Sequence, residues 1–158
     1  MSEPPSAPFA LQGLDHIVLR TGQVEVMIDF YATVLGATLE RQLPDEGLYQ
    51  LRAGASLIDL VDVAKPLGSR GGAAPGPQGR NLEHCCLRIT PWREQALRQH
   101  LARHGVACSS TERRYGAEGF GPSLYLQDPD GNVIELKGAL NTGPQPPGSS
   151  PQAAGKDA

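Results

Sequence analysis

Leu14-Asp15-His16-Ile17-Val18-Leu19-Arg20 and Leu82-Glu83-His84-Cys85-Cys86-Leu87-Arg88 are two versions of one segment, Leu-acid-His-x-x-Leu-Arg. Both read as strands, and an amphipathic pattern follows each. After the first, Val24, Met27, Ile28, Tyr31, Val34 and Leu35 recur at helical spacing, which predicts a helix from about Gln23 to Leu35 that ends at Gly36. After the second, Thr90 reads as an N-cap with Pro91 at the first helical position, and the helix runs to His104 before Gly105.

Short β-rich runs then close each half: Leu48–Arg52 and Leu57–Val63 in the first, Ser123–Gln127 and Asn132–Lys137 in the second. A further strand fits near Thr38–Gln42 and near Ala107–Arg113. The last runs match as well, Leu57-Ile58-Asp59-Leu60 against Val133-Ile134-Glu135-Leu136. The expected fold is therefore α+β: two paired βαβββ modules forming a half-open barrel around a shared site. The expected body spans residues 12–138, with module one at 12–63, a Gly/Pro-rich linker at 64–80 and module two at 81–138. Segments 1–11 and 139–158 lack periodic apolar residues and are expected to be disordered.

Composition narrows the function. Net charge is −3 with both signs interspersed, so nothing resembles the basic face that nucleic acid requires. The N-terminus does not read as a signal peptide, and no apolar run approaches the ~20 residues of a membrane span. The cysteines Cys85, Cys86 and Cys108 are odd in number, and the first two are adjacent on a strand and so point to opposite faces. They read as reduced thiols, which implies a cytoplasmic protein.

What points to chemistry is which positions the repeat keeps: one His at the first strand and one acid on the last, giving His16 with Asp59 and His84 with Glu135. Two imidazoles and two carboxylates facing one point suit one divalent metal, among Zn, Ni, Fe, Mn and Co. Such a set leaves room for a small-molecule substrate. Burying unpaired carboxylates is costly, and a cation removes that cost. Asp128-Pro129-Asp130-Gly131-Asn132 reads as a three-residue hairpin loop with Gly131 in the left-handed region. That loop pairs Asp128 with Asn132 and, three steps back, Tyr125 with Glu135, so the Tyr125 hydroxyl is expected beside Glu135.

At these residues the chain resembles the vicinal oxygen chelate superfamily, which includes glyoxalase I, fosfomycin-resistance transferases, extradiol dioxygenases and bleomycin-binding proteins. The resemblance rests on Leu14–Leu19, the helix motifs Ile28-Asp29-Phe30-Tyr31 and Val34-Leu35-Gly36, and the Asp128–Asn132 turn leading to Glu135. It implies metal ligation by His16, His84 and Glu135, and by Asp59 where glyoxalases carry a Glu. It also implies a homodimer. A glyoxalase-like lyase or isomerase fits best, with Glu135 or Asp59 as proton carrier and Tyr125 as a proton donor or oxygen-binding group. The fosfomycin transferases' Thr is replaced by Val18 and their late arginine by Pro144. Extradiol ring cleavage is the alternative, supported by Tyr125; its catalytic His is missing from the Arg113–Gly116 segment. A non-catalytic small-molecule binder is the other. His100 and His104 lie one helical turn apart and read as surface positions, and Arg113–Pro122 reads as a loop with two arginines.

Overall fold

The computed structural model of the chain describes residues 10–139, so the expectations for the two tails and for Pro144 fall outside the described residues but for their margins. Strands β1 (His16–Thr21), β2 (Thr38–Leu43), β3 (Leu48–Ala53) and β4 (Ser56–Asp62) form one sheet in the order β1-β4-β3-β2. Strands β5 (Cys85–Ile89), β6 (Glu112–Gly116), β7 (Gly119–Gln127) and β8 (Val133–Gly138) form the second in the matching order β5-β8-β7-β6. In each, the first strand runs parallel to the last and the remaining pairs are antiparallel. Two mixed four-stranded sheets that do not close into a barrel are the half-open α+β arrangement that the repeat implies.

Alternation along the strands divides each sheet into two faces. One face is apolar: Leu19, Leu51, Ile58 and Leu60 from the first sheet, and Leu124, Leu126, Ile134 and Leu136 from the second, form a core with Val24, Met27, Phe30, Tyr31 and Leu101 from the helices. The opposite faces carry the polar residues of interest. Because strand residues alternate, this division also fixes which side chains can meet.

Helix α1 (Val24–Asp29) continues as a wider π-helical turn, Phe30–Val34, so the helical path ends close to the expected Leu35. Tyr31 in that turn is fully buried and donates to Asp128 of the β7–β8 loop at 2.9 Å, joining the two modules. Asp128 also accepts from the Asp130 and Asn132 amides and the Asn132 side chain, at 2.8–3.0 Å.

Two expectations need correction, and the linker gains detail. The second-module helix, α3, covers only Glu94–Arg103 with Arg93 at the N-cap position, so Thr90 and Pro91 lie before the helix. The segment Arg113–Pro122 is the β6–β7 hairpin, with Tyr115 paired to Phe120. It displaces the expected strand near Ala107–Arg113, where Cys108 makes a lone bridge to Leu126. Finally, residues 64–80 include a short helix, α2 (Pro66–Ser69), and are held by Arg20, which donates to the carbonyls of Gly68, Gly72 and Ala73.

Candidate metal centre

The β7–β8 loop has the expected geometry: Gly131 is at φ +75°, its amide reaches Asp128 O at 2.8 Å, and Asp128 N meets Asn132 O at 3.0 Å. Tyr125 is therefore opposite Glu135. The first module reaches the same end differently. A two-residue loop with Gly54 (φ +64°) at its first position pairs Ala53 with Ser56, and stepping back pairs Gln50 with Asp59. The parallel pairs agree, Val18 beside Asp59 and Cys86 beside Glu135. Asp59 and Glu135 are thus equivalent positions, each on the face turned away from the shared core.

Both acids are buried, at 4% and 6% exposure. Gln50 donates to one Asp59 oxygen at 2.9 Å, and Arg41 in turn donates to Gln50 at 2.7 Å. His84 Nε2 lies 3.2 Å from one Glu135 oxygen. The other oxygen of each acid, Asp59 Oδ1 and Glu135 Oε1, is buried without a hydrogen-bond partner. An orphaned carboxylate oxygen costs about 1–3 kcal/mol or more when nothing compensates it. Two such oxygens at repeat-equivalent positions are what a bound cation would relieve.

The histidines add a feature that the sequence reading passed over. In each module the acid just before the histidine holds its Nδ1: Asp15 to His16 at 2.6 Å, and Glu83 to His84. The Leu-acid-His repeat was visible, but the acid's role was not, because adjacent strand residues ordinarily point apart. With Nδ1 held, Nε2 is the nitrogen left for a ligand. The Asp15 bond also raises His16 above the ordinary imidazole value, with a further contribution from the Asp59 charge.

Tyr125 stacks edge-on to His84 at 5.7 Å between centroids. Desolvation and then the Glu135 charge raise its hydroxyl above the ordinary tyrosine value, so it carries its proton at neutral pH. Cys86 is exposed as a residue, yet the packing around its thiol and the Glu135 carboxylate push it up to about 11. Its equivalent in module one is Val18.

Module two thus brings His84 against Glu135, while in module one the Asp59 charge acts on His16. Among the described residues, no three His, Cys, Asp or Glu side chains of one chain come close enough together to hold a metal. His100 is occupied in another way: its Nε2 lies 2.8 Å from the Val34 carbonyl, with the His104 ring 4.7 Å away. No helix of the described residues is long and apolar enough to cross a membrane.

Comparison with known proteins agrees with this architecture. The family model described as Glyoxalase/Bleomycin resistance protein/Dioxygenase superfamily matches residues 13–136. The glyoxalase domain-containing protein RDO1 of Mycosarcoma maydis is 31% identical over 129 residues, covering 81% of this chain and 69% of that protein. The virulence protein STM3117 of Salmonella typhimurium is 30% identical over 134 residues, covering 83% and 87%. In fold, the chain is similar to the lactoylglutathione lyase of Agrobacterium tumefaciens, with a TM-score of 0.57 at 22% identity over 86% of this chain and 96% of the other. The fosfomycin resistance protein FosX of Mesorhizobium loti gives 0.59 at 16% identity, over 84% and 97%.

Proposed function

Because the chain belongs to the Glyoxalase/Bleomycin resistance protein/Dioxygenase superfamily, we propose that it is a metal-dependent lyase or isomerase of the glyoxalase kind, acting on a small substrate with two adjacent oxygens. The observation that carries this reading is the pair of orphaned, buried carboxylate oxygens on Asp59 and Glu135. Glu135 has His84 at 3.2 Å, and the Asp59 charge acts on His16. In this reading His16, Asp59, His84 and Glu135 hold one divalent metal. The donor set fits such a cation, being imidazole and carboxylate without thiolate.

We infer that the metal sits between copies, with module one of one chain facing module two of its partner; in support, no three His, Cys, Asp or Glu side chains among the described residues of one chain form a group that could hold a metal. A homodimer then contains two such sites. When bound, the metal would supply Lewis acidity, polarising two vicinal oxygens of the substrate. The remaining work falls to this chain's own residues. Glu135 accepts a proton from one carbon and returns it to the neighbour; it faces His84 and Tyr125, whereas one Asp59 oxygen is taken by the Gln50 amide. Tyr125, protonated and beside Glu135, donates to a developing negative oxygen. Asp15 and Glu83 orient the imidazoles.

Metal analysis of the purified protein, followed by a screen of hemithioacetals, tests the reading. Glu135→Gln should lose nearly all turnover; full turnover in that variant would refute the proton-carrier role. The contact of Tyr125 with His84 also suits an extradiol ring-cleaving dioxygenase, so catechols belong in the same screen, and turnover of catechols alone would favour that alternative.

A further inference from the structure

We propose that Arg88 and Lys137 bind a compact oxyanion of the substrate, a carboxylate or a phosphate or phosphonate group, at the position where the Glu118 carboxylate now meets Arg88. This rests on the reading above, in which the same face of module two carries His84 and Glu135.

The duplication supplies the contrast. In module one, the row after Asp59 is Arg20, Val61, Leu48 and Leu43 across β1, β4, β3 and β2. In module two, the equivalent row is Arg88, Lys137, Ser123 and Glu112. A buried valine has become a buried lysine, at 6% and 8% exposure. Burying an ammonium is far costlier than burying an isopropyl group unless a counter-charge is supplied. Among the described residues Lys137 forms no ion pair: Glu135 is turned to His84, Glu112 to Arg114 and Glu118 to Arg88. Its ammonium donates to Arg114 O, and more distantly to Gly121 O and Ser123 Oγ, both at 3.4 Å. Two of its three bonds are thus long compared with a normal ~2.9 Å, leaving capacity for a stronger acceptor.

The arginines diverge in the same way. Arg20 is committed to three backbone carbonyls of the linker. Arg88 is half-exposed and, among the described residues, pairs with Glu118 in the β6–β7 tip at 2.7 Å. That clasp brings the hairpin tip toward β5 over the lysine, where a Cβ at Gly116 would lie 2.7 Å from Lys137 Cε. An exposed ion pair contributes only about 0–1 kcal/mol, so a substrate oxyanion can displace Glu118 readily. Lys137 lies two residues beyond Glu135 on one face, about 6.5–7 Å along the strand. The substrate class is accordingly a small acid whose anionic group sits a few bonds from its two metal-facing oxygens.

The test is titration of the full-length protein as purified with inorganic phosphate and, separately, acetate, at constant ionic strength. Wild type should bind at least one of them saturably, and the preferred anion identifies the phosphate-like or carboxylate class. Lys137→Met and Arg88→Met should each weaken binding about tenfold or more, the scale of one charge-assisted hydrogen bond. Glu118→Gln should tighten it several-fold by removing the internal competitor. A lysine that only clips the hairpin would alter melting temperature and leave anion affinity unchanged. Unchanged affinity in Arg88→Met and Glu118→Gln, both at exposed positions that should not impair folding, would overturn the proposal even where Lys137→Met is unstable; so would the absence of saturable binding to wild type. Metal content measured on the same samples separates the two readings. Loss of the metal assignment with anion affinity intact defeats only the former, and normal metal content with insensitive anion binding defeats only the latter.

Discussion

Asp59 and Glu135 are equivalent by duplication and unlike in their surroundings. Gln50 holds one oxygen of Asp59, whereas Glu135 faces His84, Tyr125 and Cys86. Asp59 should therefore act mainly as a ligand and Glu135 also as the proton carrier. Asp59→Asn keeps the volume and removes the charge, so metal affinity should fall about 10–100-fold or beyond, the range known for even outer-shell changes. Isothermal titration with a divalent metal checks this, and unchanged affinity would leave His16, His84 and Glu135 as the ligand set. Another residue-scale expectation concerns Glu40, which the two-pronged bond from Arg52, at 2.8 and 2.9 Å, holds below the usual carboxylate value. A depressed folded-state value means that this contribution is present above the unfolded-state value and is lost as pH falls through the folded one. A carboxylate NMR titration should show Glu40 moving up toward the ordinary range in Arg52→Met; the same midpoint in both proteins would contradict the assignment. The histidine–acid pairs were legible in the sequence because the repeat preserves them. The burial of Asp59 was not, because its hairpin uses a two-residue Gly54–Ala55 loop whose register the residues alone leave open.

At the scale of elements, one contact ties the helical path of module one to the β7–β8 loop of module two. The buried Tyr31 hydroxyl donates to Asp128, which also accepts the amides that shape the loop. Burial first, and then the Asp128 charge, raise Tyr31 far above the ordinary tyrosine value, so it stays a donor throughout the accessible pH range. Tyr31→Phe removes a buried bond to a charged group and should cost about 1.5–3 kcal/mol of stability. Chemical denaturation measures it, and a loss below a few tenths would show the bond to be incidental. The Asp128–Asn132 turn was readable because its proline, glycine and asparagine dictate loop length, and with it the Tyr125–Glu135 pair. The start of α3 is not legible, because Thr-Pro carries the chemistry of a cap and first helical residue while the helix begins at Glu94. The β6–β7 hairpin has the composition of a loop, its Gly and Pro residues resembling strand breakers, although three of its glycines and Pro122 lie in paired positions.

At the scale of the whole molecule, duplication produces two sheets around one apolar core, and it leaves Asp59 and Glu135 on the far faces. The repeat leaves open whether the four residues meet within one chain or between two copies; among the described residues no three His, Cys, Asp or Glu side chains of one chain form a group that could hold a metal. A chain read in isolation carries no signal for which copy completes the site, since an intra-chain and an exchanged pairing use the same residues. In the proposed assembly each metal is shared between module one of one copy and module two of another. The most direct measurement of this sharing is metal content after co-refolding two variants, His16→Ala and His84→Ala. Each variant alone breaks every site and should bind little metal. In a mixed pair, the intact first module of the His84→Ala chain faces the intact second module of the His16→Ala chain, so one site per mixed pair should recover. A mixture that binds no more metal than the separate variants would contradict sharing between copies, and full metal content in either variant alone would contradict the ligand assignment itself.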